Sequence, residues 1–289
     1  MNFFIYWLGR AFIGFVQLLP LSLVARAGRA AGTFAFYLDS RHRRVALQNL
    51  NLCFGREKTA AEILAIAREN FRHIGENYLS AIKTAVMSPQ ALLAHFDFGG
   101  AEHILPHEGD SGPQSRVMAI GHFGNFELYA RFTQFVPVFK CAATYRALKQ
   151  PAINRLMMEL RDHSGCLFFE RRRDGAALKD AMNTSGLLLG LLADQSSKGV
   201  RIPFLGQDCN TSTAPAVFAL RYHCPLHTAI CYRVSLGRWR IELGPEIPTR
   251  EGEKARDIET IMREVNLALE QAVRRDPANW FWVHRRWKD

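Results

Sequence analysis

Arg116-Val-Met-Ala-Ile-Gly-His122-Phe-Gly-Asn-Phe-Glu127 is the stretch on which the fold turns. After Arg116 come four apolar residues that end at a glycine, the pattern of a buried strand. Gly121 and Gly124 then bracket a turn, and Asn125 to Phe135 predicts a helix. The alternation continues downstream. Strands are expected at Phe139 to Thr144, Leu167 to Phe169 and Leu187 to Leu192, and helices at Ile153 to His163 and Gly175 to Met182. Thr213 to Tyr222 is a further helix, and Leu226 to Val234 with Trp239 to Leu243 a hairpin around residues 235–238. Glu253 to Arg275 reads as a long closing helix. Upstream, Thr59-Ala-Ala-Glu62 is a capping box, and Ser88 before Pro89 places a cap ahead of proline at the first helical position. The sum is an α/β fold, a mixed sheet flanked by helices, with a helical N-terminal part. The expected division is residues 1–56, an anchor and basic helical segment, and 57–289, the α/β domain.

The composition narrows the partners. The chain has 289 residues, is 48% hydrophobic and 22% charged, and carries a net charge of +10. Those fractions describe a folding chain, not a disordered or fibrous one. Of 37 basic residues 29 are arginine, the side chain whose planar fork grips phosphate. An anionic partner is expected: lipid head groups, a phosphorylated substrate, an acidic protein or nucleic acid. Six scattered cysteines without a Cys-x-x-Cys pair read as reduced, buried thiols. His223, Cys224, His227 and Cys231 do not read as a metal site, because 224 and 231 face opposite sides of one strand.

Residues 3–24 are greasy enough to suggest membrane anchoring, spanning or interfacial, although Arg10, Gln17 and Pro20 interrupt them. As a helix they leave one narrow polar stripe at Arg10, Gly14 and Gln17. Arg26, Arg29, Arg41, Arg43 and Arg44 follow, a positive-inside signal that puts the main domain on the cytoplasmic face. A core helix and a cleaved leader are the alternatives.

Chemistry is expected where the turn exposes His122 and the helix carries Glu127 one turn in. Glu127 can fold back so that imidazole Nδ1–H donates to it, leaving Nε2 to take a proton from a hydroxyl. With no Gly-x-Ser-x-Gly nucleophile, direct transfer is favoured over an acyl-enzyme. On these residues alone a structural role for the pair stays open. Tyr145-Arg146 ends the next strand, where open α/β sheets present ligand-binding groups. Asp194-Gln195 follows the strand Leu187 to Leu192 on the same sheet edge as His122. Lys198 and Arg201 add positive potential in the next loop, and Arg171 to Arg173 is a wet surface or an anion contact. Thr211 to Thr213 reads as a helix cap. Trp280, Phe281, Trp282 and Trp287, interleaved with His284, Arg285 and Arg286, suit a membrane interface or packing on the core. His73, His95, His103, His107, His163, His223 and His227 read as structural or solvated.

His-x4-Glu after a buried strand resembles the His-x4-Asp/Glu motif of the glycerolipid acyltransferase superfamily. Three segments, Arg43 to Phe54, Gly121 to Glu127 and Asn279 to Lys288, are similar to signatures of the bacterial lipid A late acyltransferases. The resemblance spans essentially the whole chain. It implies transfer of a fatty acyl group from an acyl carrier protein or CoA thioester to a lipid A precursor hydroxyl, without metal or cofactor. His122 would be the general base and Glu127 its orienting partner. Arg146, Arg161, Asp194, Gln195 and Lys198 would bind substrate, although a solvated helix face is an equal reading of Arg161. A lysophospholipid, aminolipid or mannosylated lipid is the alternative acceptor. The resemblance also implies an anionic inner membrane as the setting, and it leaves nucleic acid the weakest partner.

Overall fold

The computed structural model describes residues 1–106, 113–184 and 186–288, so His107 lies outside the described residues. Five helices open the chain: α1 (Asn2–Leu18), α2 (Leu21–Leu38), α3 (Ser40–Phe54), α4 (Ala60–Thr84) and α5 (Pro89–Leu93). The α/β part follows with β1 (Phe96–Gly99), β2 (Arg116–Ile120), β3 (Lys140–Tyr145), α6 (Pro151–Arg161), β4 (Leu167–Glu170), α7 (Gly175–Met182) and β5 (Leu187–Leu192). Next come the hairpin β6 (Gly199–Phe204) and β7 (Gln207–Ser212), α8 (Ala214–Arg221), β8 (Leu226–Ser235) and β9 (Arg238–Leu243). A small hairpin, β10 (Arg250–Glu251) with β11 (Lys254–Ala255), precedes α9 (Ile258–Arg275).

Seven strands form one mixed sheet in the order β1-β9-β8-β2-β5-β3-β4. From β8 to β4 all neighbours are parallel, β1 is parallel to β9, and β8 pairs antiparallel with β9. The pleat separates two cores. Val117 and Ala119 of β2 face one core with Leu187, Leu189, α8 and α9, while Met118 and Ile120 face the other with Leu188, Leu128 and Phe132. Phe36, Ala46, Leu50 and Phe54 of α2 and α3 join the first core, so these N-terminal helices pack into the α/β body. Both expected caps are present. Thr59 and Glu62 close a reciprocal capping box on α4, and Ser88 Oγ accepts from the Ala91 amide at α5.

α2 and α4 approach backbone to backbone. A Cβ on Gly28 would lie 2.5 Å from the Gly75 carbonyl oxygen, and Gly32 and Gly75 are equally hemmed in by the facing main chain. Only glycine permits that spacing.

Several expectations shift. The segment after Asn125 winds as a 3₁₀ helix over Phe126–Gln134 rather than an α-helix. The long closing helix starts at Ile258, where Asp257 caps it, and residues 250–255 are spent on the small hairpin. Leu192 is partly exposed at the end of an otherwise buried strand. Pro20 breaks the greasy N-terminal run into α1 and α2, and among the described residues no helix is long and apolar enough to cross a membrane. The spanning form of the expected anchor therefore lacks support.

The polar stripe on α1 faces inward. Tyr6 Oη donates to Glu159 at 2.8 Å, Arg10 lies 3.8 Å from the same carboxylate, and Gln17 Nε2 donates to the Ile82 carbonyl. The opposite face leaves Phe3, Phe4, Trp7, Leu8, Phe12, Phe15 and Leu18 exposed. Part of the basic cluster is structural: Arg29 pairs with Glu69 and Glu76, and Arg43 donates to the Phe36 and Tyr37 carbonyls. Arg26, Arg41 and Arg44 stay exposed.

Candidate active site

Two adjacent parallel strands place the central residues. Ile120 of β2 stands in register with Leu192 of β5, and the ladder extends as the Ala193 amide donates to the Ile120 carbonyl. Two residues beyond each strand end come His122 and Asp194, brought side by side by that register. His122 Nδ1 is 2.9 Å from Asp194 Oδ1, and the His122 backbone amide donates to Asp194 Oδ2 at 2.8 Å. Trp280 Nε1 donates to the same Oδ2, also at 2.8 Å. Burial by itself would raise the Asp194 carboxyl, but the charge and hydrogen bonds of His122, joined by the Trp280 indole, hold it below the ordinary carboxylate range. An ionised Asp194 accepts from Nδ1–H and thereby leaves Nε2 as the free lone pair. Gln195 Nε2 lies 3.4 Å from it. The imidazole stands between Phe126 and Phe281, with ring centroids 5.0 and 5.8 Å away.

Glu127 is engaged elsewhere. Arg161 Nε donates to Oε2 at 2.9 Å and Nη2 to Oε1 at 2.6 Å, a two-pronged ion pair. The carboxylate on His122 Nδ1 is thus Asp194, not the Glu127 expected from the sequence. The 3₁₀ turn starting at Phe126 turns Glu127 toward α6 and away from that nitrogen. Arg161 stacks over Phe168 at 4.9 Å, and its Nη1 is buried without a hydrogen-bond partner among the described residues.

His122, Glu127 and Arg161 line one cavity of about 830 Å³. Its other walls are overwhelmingly apolar and come from α1, α4 and α6, including Ile13, Ile82, Leu156 and Met157. Asp194 sits behind His122, fully buried. Arg146 and Lys198 fall on the same sheet edge, exposed, in the loops after β3 and β5, and do not line the cavity. Among the described residues no group of three or more His, Cys, Asp or Glu side chains is placed to hold a metal ion.

The sequence missed the back wall. Residues 279–287 run beside the His122 turn: Phe123 bridges to Trp280, and the Gly124 amide donates to the Asn279 carbonyl. Gly124 has φ +51, and a Cβ there would strike the Cys231 carbonyl. Arg286 is fully buried. It donates to the Gln195 and Asn210 carbonyls and to Thr211 Oγ1, each at 2.8 Å, and so ties the β6–β7 hairpin to the Asp194 loop. Thr211 therefore serves Arg286, and the expected helix cap is not made: Thr213 is the N-cap of α8 without a side-chain cap bond, and Ser212 Oγ accepts from the Ala214 amide. Asn49 of α3 donates to the Trp282 and His284 carbonyls, and Asn70 of α4 to those of Ala278 and Trp280. The segments around residues 43–54, 121–127 and 279–288 thus meet in space. The expected packing of the C-terminal aromatics on the core is the one realised, with Trp280 and Trp282 buried.

A histidine–carboxylate pair stands at the ends of two buried parallel strands, with the histidine lining an apolar cavity, and the chain is an acyltransferase. It belongs to the bacterial lipid A biosynthesis acyltransferase family, whose model matches residues 1–289. It is similar to the lipid A biosynthesis lauroyltransferase of Escherichia coli (strain K12), 23% identical over 310 residues that cover 99% of this chain and 92% of that protein. The lipid A biosynthesis palmitoleoyltransferase of the same organism and the lipid A biosynthesis acyltransferase of Shigella flexneri are each 24% identical over 306 residues, with the same coverage.

Proposed function

We propose that the protein transfers a fatty acyl group from an acyl carrier protein or CoA thioester to a hydroxyl of a lipid A precursor, with His122 as general base. The observation that carries this reading is the His122–Asp194 pair, whose free Nε2 belongs to a side chain lining the apolar cavity. The acceptor hydroxyl gives its proton to Nε2 as its oxygen bonds to the thioester carbonyl carbon. The tetrahedral intermediate then expels the thiolate, which takes up the proton, and an ester results. Asp194 fills the orienting role that the sequence assigned to Glu127, stabilising the imidazolium as it forms. Glu127 fixes the Arg161 guanidinium, whose unpartnered Nη1–H is a donor for the carbonyl oxygen as negative charge develops on it. The Gln195 amide, near Nε2, marks the approach of the acceptor hydroxyl. Arg146 and Lys198 on the same sheet edge suit a phosphorylated head group.

The exposed apolar face of α1 supports a seat at the membrane interface rather than across it. Arg26, Arg41 and Arg44 are free to meet anionic head groups on the cytoplasmic side of the inner membrane.

The test is acyl transfer by the purified protein from defined acyl carrier protein and CoA thioesters to a lipid A precursor, read by mass spectrometry. His122→Ala is expected to lower transfer by about 10³-fold or more with the melting curve unchanged. Retained activity in that variant would sink the mechanism.

A further inference from the structure

We propose that Trp280 is a positioning residue for acyl transfer: its indole N–H fixes the Asp194 carboxylate and through it sets the basicity of His122 Nε2. The inference rests on the general-base reading above and deepens it with a residue that acts through Asp194. The Asp194 carboxylate accepts three hydrogen bonds. His122 supplies two of them, Nδ1 to Oδ1 at 2.9 Å and the backbone amide to Oδ2 at 2.8 Å. Trp280 Nε1 supplies the third, to Oδ2 at 2.8 Å. Among the described residues it is the one donor to this carboxylate that does not belong to His122. Asp194 is 0% and Trp280 1% exposed, so bulk water does not replace the bond when it is lost.

A positioning donor has to be rigid, and this indole is held on several sides. Its ring packs on Phe204, Trp282 and Trp287, with centroids 5.4, 4.8 and 6.0 Å away. Its carbonyl accepts from Asn70 of α4, and its backbone bridges to Phe123 beside His122. A donor fixed in this way needs no reorganisation as the imidazolium forms. It also draws negative charge from the carboxylate, and that charge is what raises the proton affinity of the imidazole. Without the indole N–H, His122 becomes more basic and less firmly oriented. The other titratable or charged groups around the pair are Glu127 and Arg161 on the cavity wall, Tyr78 of α4 beside Phe126 and Phe281, buried Tyr129, and His284 and Arg286 of the C-terminal segment. Lys198 stands exposed in the loop beyond Gln195. Substitution at position 280 leaves all of these in the chain, and His284, lowered to about 4 by burial, is uncharged where His122 titrates.

The experiment measures kcat and KM against pH for acyl transfer by the full-length protein from an acyl carrier protein thioester to a lipid A precursor. The same proteins are titrated by NMR at the His122 imidazole, its resonance assigned by its loss in His122→Ala. Two changes remove the N–H: Trp280→Phe, and replacement of Trp280 by benzothienylalanine, which keeps both fused rings and exchanges N–H for sulfur. Both are expected to move the acid limb of the rate profile and the His122 titration to higher pH by about 0.5–1 unit. The benzothienylalanine protein should lose about tenfold in kcat with KM within about twofold of wild type. Trp282→Phe removes a second buried indole, one that donates to the Pro277 carbonyl, and is expected to lower the melting temperature while leaving both titrations in place. Wild-type titrations in both Trp280 proteins overturn the role of Trp280 and leave acyl transfer intact. An equal upward shift in Trp282→Phe also overturns it, because lost packing then accounts for the effect. No transfer by wild type, or full activity in His122→Ala, overturns the general-base reading instead, and the NMR titration still decides whether Trp280 controls His122. Should Trp280→Phe fail to fold, the benzothienylalanine protein decides by the same two titrations.

Discussion

The two ends of the chain are written in much the same alphabet and come to opposite fates. α1 and residues 279–287 are each rich in aromatics interrupted by arginine, and either composition suits a membrane interface. α1 turns its one polar stripe to the protein and leaves Phe3, Phe4, Trp7 and Phe15 in the open. The C-terminal segment does the reverse: Trp280, Trp282 and even Arg286 are buried, both indole N–H groups donate to protein oxygens, and the Arg286 Nη1 and Nη2 groups donate to the Asp194 loop and the β6–β7 hairpin. The difference lies in what each arginine and ring finds nearby. Trp280 and Arg286 meet a carboxylate and three oxygen acceptors, which repay their burial. The outer rings Phe3, Phe4 and Trp7 of α1 meet one another and Tyr6 on the same helix, and an exposed apolar strip of that size marks a contact surface.

This contrast can be broken or sharpened by experiment. Arg286→Ala should have the largest effect, because three buried acceptors lose their donor at once; a loss of about 3–4 kcal/mol of unfolding free energy is expected in urea melts. A variant as stable as wild type would mean that the segment is not holding the Asp194 loop. Next comes pH. Burial lowers the His284 imidazole from its ordinary 6.5 to about 4, so the unfolded chain takes up a proton that the folded one refuses. Stability is then fully present above pH 6.5 and falls as pH drops toward 4, by about 1–2 kcal/mol for this one side chain. His284→Gln should flatten that slope, and a slope unchanged in the variant would assign it elsewhere; His227, also lowered to about 4 by burial, is the second contributor. The smallest effect on stability is expected at the other end. Replacing Phe4, Trp7 and Phe15 together with serine should move the melting free energy by less than about 0.5 kcal/mol per site. The same triple variant should bind anionic phospholipid vesicles at least about 100-fold more weakly in sedimentation assays. Unchanged vesicle binding would remove α1 as the membrane contact.

Much of the fold was legible because its signals are local. β2, α7 and β5 lie where the apolar runs and breakers put them, and the Thr59 capping box is made as written. β1 and the β6–β7 hairpin went unread for different reasons: β1 is only four residues long, Pro203 interrupts β6, and Gln207 to Ser212 is polar in sequence and is a strand through pairing with β6. At the site, His122 and Asp194 were both picked out, yet not as partners. The contact spans 72 positions and depends on strand order, which no local pattern encodes. One trace was available, since each residue stands two beyond the end of a buried strand, and parallel neighbours in register bring such residues together. Glu127 was the nearer carboxylate in sequence, and it went to Arg161 because the helix carrying it is wound as 3₁₀.

The glycines that join α2 to α4 bear on which mutations the protein can survive. Gly28, Gly32 and Gly75 touch no substrate in the proposed scheme and carry no titratable group. Yet a single added methyl at any of them collides with main chain that cannot rotate away, at a cost of about 1–3 kcal/mol or more. α4 lines the cavity with Tyr78, Ala81 and Ile82 and anchors the back wall through Asn70, so prying it from α2 would deform the site at a distance. In a saturation screen for lost activity, these three positions should rank with His122 while lying well outside the chemistry. A map drawn from such a screen would show two intolerant patches, one that reacts and one that keeps the first in shape.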